Sequence, residues 1–316
     1  MGDSASSSTE RRDRYVAWGL TWLTYATYYT GRKGFSVTKK AITEHLGVSV
    51  AALGLIDTAY LAAYAIGQFI SGTLGDRIGA RRLIGYGMLL SAAACAAFGS
   101  MSSALLFGAL FCVNGFAQST GWPGTTRAMA EWTTPKNRGS VMAFWATCYQ
   151  VGGVAATAFA GYLLGRYGWR AAFYGPALWI AVVAILVLLL LRPGPSAQSR
   201  VSADANVRTD GREPAPGPDK PLEGEELLEV RRRAQREVLK SPVLWSYGLS
   251  YFFIKLIRYS LLFWLPFYLA KQLGYAETEA AYVSTAFDVG GIAGVIVIGI
   301  VSDRLRRVSR SLLSAL

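Results

Sequence analysis

One charged phrase closes an apolar segment twice in this chain. It reads Gly72-x-x-x-Asp76-Arg77-x-Gly79-x-Arg81-Arg82 the first time and Gly299-x-x-x-Asp303-Arg304-x-Arg306-Arg307 the second. Each copy follows an apolar stretch of about 20 residues or more, the length that crosses a bilayer core. A chain that ends two such stretches with the same loop is an internally duplicated membrane protein. Backbone polarity then leaves little choice of structure. In lipid every N–H and C=O must be satisfied within the segment, and the helix does that at this length.

With 52% hydrophobic residues gathered into blocks, the sequence divides into eight apolar spans. They cover approximately 15–37, 50–74, 83–103, 105–126, 140–164, 171–191, 243–270 and 282–302. The expected class is an all-α membrane protein. Its organisation is an N-terminal tail (1–14), a six-helix block (15–191), a linker (192–242) and two further helices (243–316). The linker is rich in Pro and charge, and an amphipathic helix is expected near its end, from Leu222 to Lys240. The second copy of the loop falls shortly before Leu316, so the pattern reads as a six-plus-six duplication that stops after span eight.

The net charge of +12 is explained by topology. Arg11, Arg12, Arg14, Arg77, Arg81, Arg82, Lys136, Arg138, the linker bases and Arg304 to Arg310 fall on one side of the eight-span map. The other side keeps only Lys39, Lys40, Arg166, Arg170 and Lys271. By the positive-inside bias both termini face the cytoplasm, and no nucleic-acid partner is needed to account for the basic balance. The first apolar run lacks a small-residue cleavage site, so it is expected to stay as a span.

Enzyme chemistry finds no footing. His45 is the single histidine; Cys95, Cys112 and Cys148 lie apart in apolar segments; and no phosphate-cradling Gly-x4-Gly-Lys-Ser phrase occurs. No metal or cofactor is expected. Polar residues within the spans are the informative ones, since charge at membrane depth is costly and marks function by default. Tyr25, Tyr28, Tyr29 and Arg32 share a face of the first span by their spacing. Arg32 and Lys33 are read either as ligands facing the bundle or as cations snorkelling to the outer interface. Asp57, Tyr60, Tyr64 and Gln68 make a second polar stripe on span two. Asp57 either balances buried positive charge or lies at the outer interface. Arg258 falls near the middle of span seven, with Lys255 three residues before it on the same face. Asp288 in span eight is a candidate partner for Arg258.

Three further phrases sharpen the picture: Tyr25-Ala-Thr-Tyr-Tyr-Thr-Gly-Arg-Lys-Gly-Phe35, Asn114-Gly-Phe-Ala-Gln-Ser-Thr-Gly-Trp-Pro123 and Arg258-Tyr-x4-Trp264-x-Pro266-x-Tyr268. Together with the loop they resemble the major facilitator superfamily, whose members place two six-helix halves around a midplane site. Within it they are similar to the organophosphate:phosphate antiporters, a family that includes glycerol-3-phosphate and hexose-phosphate transporters and an animal sugar-phosphate exchanger branch. The resemblance implies a major facilitator-type bundle holding six N-terminal helices and the first two of the second half. It implies that Arg32 and Arg258 hold the phosphate, with Tyr25, Tyr29, Lys255, Gln68, Tyr149 and Gln150 around the substrate. Lys33, Asp57 and Asp288 would balance charge.

Gly72, Asp76, Arg77, Gly79, Arg81, Arg82, Asp303 and Arg304 would form the cytoplasmic gating loops, joined by Arg127 and Glu131. The glycines of these loops are expected to permit a tight turn. Gly115, Gly121, Gly152, Gly153 and Gly161 are expected at close helix contacts. Two departures stand out. Gln68 replaces a lysine and Tyr149 a histidine of the bacterial glycerol-3-phosphate pattern, which leaves a less cationic site.

The function implied is exchange of an organic phosphate for inorganic phosphate by alternating access. It would take place in a monomer embedded in the lipid bilayer of the inner (plasma) membrane. A proton-coupled organic-anion transporter, a membrane sensor of organic phosphates and a non-functional fragment are the alternatives.

Overall fold

The computed structural model describes residues 2–134, 137–195 and 240–304, with side chains at 9–134, 137–195 and 240–294. Among these residues ten α-helices and no strands occur. In order they are α1 (Gly2–Leu46), α2 (Val50–Ile78), α3 (Ala80–Ser100), α4 (Ala104–Gln118), α5 (Gly121–Trp132), α6 (Arg138–Ala146), α7 (Cys148–Tyr167), α8 (Ala171–Leu190), α9 (Pro242–Gln272) and α10 (Glu277–Arg304). The expected helix within the linker, together with Lys136, Arg306 and Arg307, lies outside the described residues.

Among the described residues five stretches are long and apolar enough to cross a membrane: α2, α3, Ala104–Trp132, α8 and α9. The first span is part of a much longer helix, because α1 begins in the tail expected at 1–14 and continues past Lys39. Spans four and five are each broken in two. Pro123 has no N–H to offer the carbonyl four residues back, at Ser119, and the chain turns at Ser119 and Thr120 between α4 and α5. The fifth is interrupted at Thr147, whose hydroxyl bonds back to the Phe144 carbonyl at 2.7 Å and accepts from the Trp22 indole at 3.0 Å.

The chain forms two compact units, Met1–Gln198 with Phe263–Leu316, and Ser199–Leu262. In the first, α1 packs on α7 and α8, α2 on α4, α3 on α8, and α10 on α7. Its apolar core joins Leu20 and Tyr28 of α1 to Ile84 and Met88 of α3, Trp132 of α5, and Ile180, Val183 and Val187 of α8. One edge is tied by indole donors. Trp18 bonds the Trp132 carbonyl at 3.3 Å, and Trp132 bonds the Arg192 carbonyl at 3.0 Å. The described part of the second unit is the first portion of α9, where Lys255 lies over the rings of Tyr251 and Tyr259 at 4.9 and 5.7 Å.

Small residues set the helix spacing, as expected where packing rather than water drives association. A Cβ on Gly115 would stand 2.3 Å from the Tyr60 carbonyl oxygen, so α2 and α4 touch backbone to backbone there. Gly121, Gly152, Gly153 and Gly161 are also tight, meeting Tyr28, Ala26, Asp288 and Ala281 respectively. The loop after α2 corrects one expectation. Its turn is a single residue, Gly79, at φ 80°, while Gly72 sits inside α2 with open space around it.

These environments separate two glycines of one helical region. Gly115→Ala is expected to destabilise by about 1–3 kcal/mol through overpacking against backbone that cannot yield. Gly72→Ala is expected to be neutral or to stabilise by up to about 1 kcal/mol from helix propensity. Thermal unfolding of the two variants in detergent checks this, with the Gly115 variant melting below the parent and the Gly72 variant not.

Candidate functional site

Although α1 is the most polar of the long helices, most of the polar residues in its middle, from Thr21 to Lys39, lie inside the bundle. Thr21, Thr24, Thr27, Thr30, Arg32, Lys33, Ser36, Thr38 and Lys39 are all buried. Several hydroxyls satisfy themselves locally. Thr21 bonds the Ala17 carbonyl at 2.8 Å, Thr30 that of Thr27 at 2.7 Å and Thr38 that of Gly34 at 2.9 Å. Such back-bonding lets a helix carry hydroxyls without water. The cations cannot do this, and each has been given surroundings of its own.

Arg32 is 3% exposed and does not snorkel. Its Nε donates to Gln118 Oε1 at 3.0 Å. The guanidinium carbon stands 4.8 Å from the Tyr29 ring centre and 5.5 Å from that of Tyr64. Among the described residues no carboxylate lies within ion-pair distance of it. Its charge is faced by aromatic rings and by one amide oxygen. The stripe of α1 divides here. Tyr25, Tyr29 and Arg32 stay together, whereas Tyr28 turns to α5 and pairs its hydroxyl with Thr120 at 3.0 Å.

Tyr25 in turn belongs to an aromatic group. Its ring centre lies 4.9 Å from Tyr149, 5.5 Å from Trp145, 6.0 Å from Trp122 and 6.3 Å from Tyr29. Thus Tyr149 of α7 and two tryptophans not anticipated from sequence stand beside Arg32's neighbours. Gln150 is half-buried and approaches Gly291 of α10. On α2, Tyr60 stacks against Tyr64 at 6.1 Å, and Gln68 follows one turn on, half-buried.

The two acids pair with lysines. Lys33 Nζ meets Asp288 Oδ2 at 3.3 Å, with both side chains 3% exposed. Asp288 reaches α7 at Gly153, where a Cβ would come within 2.8 Å of its carboxylate. Asp57 is buried as well, which removes the interfacial reading, and its partner is Lys39 at 2.5 Å. Lys39, expected in the outer loop, is buried because α1 runs on beside α2. Its Nζ also donates to the Phe263 carbonyl at 2.8 Å and lies 3.9 Å from the Trp264 ring centre. Ser36 donates to the same carbonyl at 3.0 Å. This segment of α9 precedes Pro266, whose ring disfavours straight helix and leaves nearby carbonyls open to outside donors. The acids therefore balance Lys33 and Lys39, and Arg32 keeps its charge.

Arg258, in the other unit, is half-buried midway along α9. At the opposite end of α2 from Asp57, Asp76 pairs with Arg127, which also meets Glu131 at 3.5 Å. Gly72, Gly75, Asp76, Pro123, Thr126 and Arg127 line a cavity of about 390 Å³ there. Arg77, Arg81 and Arg82 are exposed, and Asp303 and Arg304 end α10. Outside the bilayer-length stretches, partial burial and the nearby Glu44 carboxylate raise Glu277 above the usual carboxylate range. No group of three or more metal-ligating side chains occurs among the described residues.

Residues 21–316 match the family profile of the Major Facilitator Superfamily. Sugar phosphate exchanger 3 of Bos taurus is 32% identical to the chain over an alignment covering 92% of it and 68% of that protein. A Chlamydia pneumoniae protein named "Probable hexose phosphate transport protein" is 27% identical over 96% of the chain and 69% of its own length. Among solved structures, a bacterial homologue of the human lysosomal transporter Spinster, inward-facing and unoccupied, superposes with a TM-score of 0.74. Its identity is 19%, over 94% of this chain and 64% of that one. A D-xylose-proton symporter gives 0.66 at 13% identity, over 92% of this chain and 69% of the symporter. The chain thus spans about two thirds of the length of these proteins. It is an integral membrane protein with the major facilitator fold. It belongs to the major facilitator superfamily and, by the relatives it matches, to the organophosphate:phosphate antiporter family.

The Lys39 and Asp57 pair yields a test. Removing one partner strands a buried charge, a loss of about 3–5 kcal/mol, whereas replacing both by apolar groups is often nearly neutral. Asp57→Asn is therefore expected to lower the melting temperature in detergent far more than the double change Lys39→Met with Asp57→Leu. Equal losses would show that the pair contributes only as packing.

Proposed function

We propose that the chain carries an organic-phosphate site and serves exchange of an organic phosphate for inorganic phosphate by alternating access. The observation that carries this reading is Arg32. Among the described residues it is a buried guanidinium with no carboxylate within ion-pair distance, beside two lysines that each have one. An unpaired charge in a low-dielectric interior is costly, and a membrane protein that keeps one is suited to an anion that comes and goes. Guanidinium fits phosphate because it stays protonated and offers two parallel donors to two oxygens. The family resemblance adds Arg258 as a second candidate phosphate ligand.

Exchange rather than one-way flow follows from the same charge. With phosphate bound, Arg32 is compensated and the carrier can reorient. Empty, it must carry a bare cation through a closed state. An incoming anion of either kind relieves that cost, so each outward passage of one is tied to the return of another. Tyr149 and Gln150 supply a hydroxyl and an amide for the organic moiety, and Gln68 and Tyr64 close the α2 side. The Asp76, Arg127 and Glu131 group is assigned to the cytoplasmic gate, with both termini on that side of the inner (plasma) membrane and the monomer as the working unit.

One observation favours a second reading. Lys33 and Asp288 form a buried pair of titratable groups, which would suit proton-coupled uptake of an organic anion. The two are separated by counterflow of radiolabelled phosphate into phosphate-loaded liposomes, measured with and without an imposed pH gradient. Saturable exchange indifferent to the gradient, lost at least tenfold in Arg32→Ala and in Arg258→Ala, is the expected result. Exchange that needs the gradient would favour proton coupling. Phosphate binding without flux would favour a sensor, and Arg32→Ala exchanging like the parent would overturn the reading.

A further inference from the structure

We propose that Gln118 is the positioning residue for Arg32, holding the guanidinium by Nε so that its two terminal nitrogens face the ligand. This rests on the reading that Arg32 binds phosphate. Gln118 ends α4 and is 1% exposed. Its Oε1 accepts from Arg32 Nε at 3.0 Å and from the Tyr60 hydroxyl at 2.9 Å. Its Nε2 donates to Ser91 Oγ at 3.3 Å and to Asn114 Oδ1 at 3.2 Å. An amide has two acceptor positions and two donors, and all four are engaged. The oxygen therefore faces Arg32 without an alternative flip that keeps these bonds.

The support is itself anchored. Asn114 Nδ2 donates to the Gly31 carbonyl at 2.9 Å, one residue before Arg32, and Asn114 Oδ1 accepts from Ser91 at 2.6 Å. Helices α1, α2, α3 and α4 thus meet on one buried amide. Gly31 makes room for it, since a Cβ there would stand 2.7 Å from Gln118 Nε2. Among the described residues the guanidinium's one hydrogen bond is through Nε. The four N–H bonds on its terminal nitrogens are left for an acceptor from outside, in the fork that matches two phosphate oxygens.

Chemical type matters as much as geometry. A glutamate at this position would hold Nε equally well and would cancel the charge that binds the ligand. A glutamine orients Arg32 and leaves it cationic. The ionisable groups facing position 118 are Arg32 from α1, Tyr60 from α2 and Cys95 from α3, the last bonded to the Gly31 carbonyl at 3.6 Å.

The test is binding of inorganic phosphate to the purified full chain in detergent by titration calorimetry, at about pH 8 and pH 5.5. Each variant is referred to the parent at the same pH. Arg32→Ala is expected to abolish binding. Gln118→Met, close in shape and unable to accept, is expected to weaken it about tenfold or more, the scale of one hydrogen bond to a charged group. Gln118→Glu, whose carboxylate stays ionised beside the guanidinium at both pH values, is expected to weaken it more strongly than Gln118→Met and to show no recovery at pH 5.5. A side chain that only fills space would leave Gln118→Met binding like the parent. If Gln118→Met does not fold, Gln118→Leu, similar in size and also unable to accept, takes its place. Loss in Arg32→Ala with parent-like binding in the Gln118 variants would overturn the positioning role and leave the phosphate reading standing. Parent-like binding in Arg32→Ala, or no binding by the parent, would remove both.

Discussion

A buried guanidinium with no carboxylate in reach among the described residues is the constraint around which this bundle is arranged. Burying charge is expensive, and a protein normally recovers the cost with a counterion. Here the charge of Arg32 is met only in part, by the faces of Tyr29 and Tyr64 and by one amide oxygen. Cation–π contact and a neutral acceptor lessen the penalty without abolishing it. Under the proposed function, the residual positive potential gives an anion reason to enter.

The neighbouring lysines show the opposite solution on the same helix. Lys33 is met by Asp288 from α10, and Lys39 by Asp57 from α2. Lys39 also gathers the Phe263 carbonyl and the Trp264 ring, so α1, α2 and α9 converge on one ammonium. Three cations within eight positions of one helix therefore have distinct duties. The two lysines pair with acids from other helices, and under the proposed function the arginine between them and the tyrosines is left for a ligand. Arginine suits that task because it cannot be neutralised and because one edge can be held while the other stays available.

The all-helical class and the broad placement of the apolar stretches were legible in the sequence, because bilayer length and apolar runs leave so few options. Arg32 and its companions Tyr25 and Tyr29 were legible through helical spacing. Which polar side chains meet across helices was not. Gln118 lies in a phrase that stood out, yet its role depends on Ser91, Asn114 and Tyr60 converging from three helices, and one sequence does not contain that convergence. Lys39 was misplaced for a related reason. A lysine after an apolar run reads as topogenic charge, and only the continuation of α1 alongside α2 brings it to Asp57. The breaks at Ser119 and Thr147 differ in legibility. Pro123 announces the first, while the second carries no proline and shows itself only through the bonds of Thr147.

The central claim is that the free edge of Arg32 is a phosphate seat, and the most direct measurement is a structure of the chain determined with inorganic phosphate bound. The account predicts an anion within hydrogen-bonding distance of the Arg32 terminal nitrogens, with Nε still on Gln118. Phosphate bound elsewhere while those nitrogens are taken by a carboxylate of the protein would contradict it.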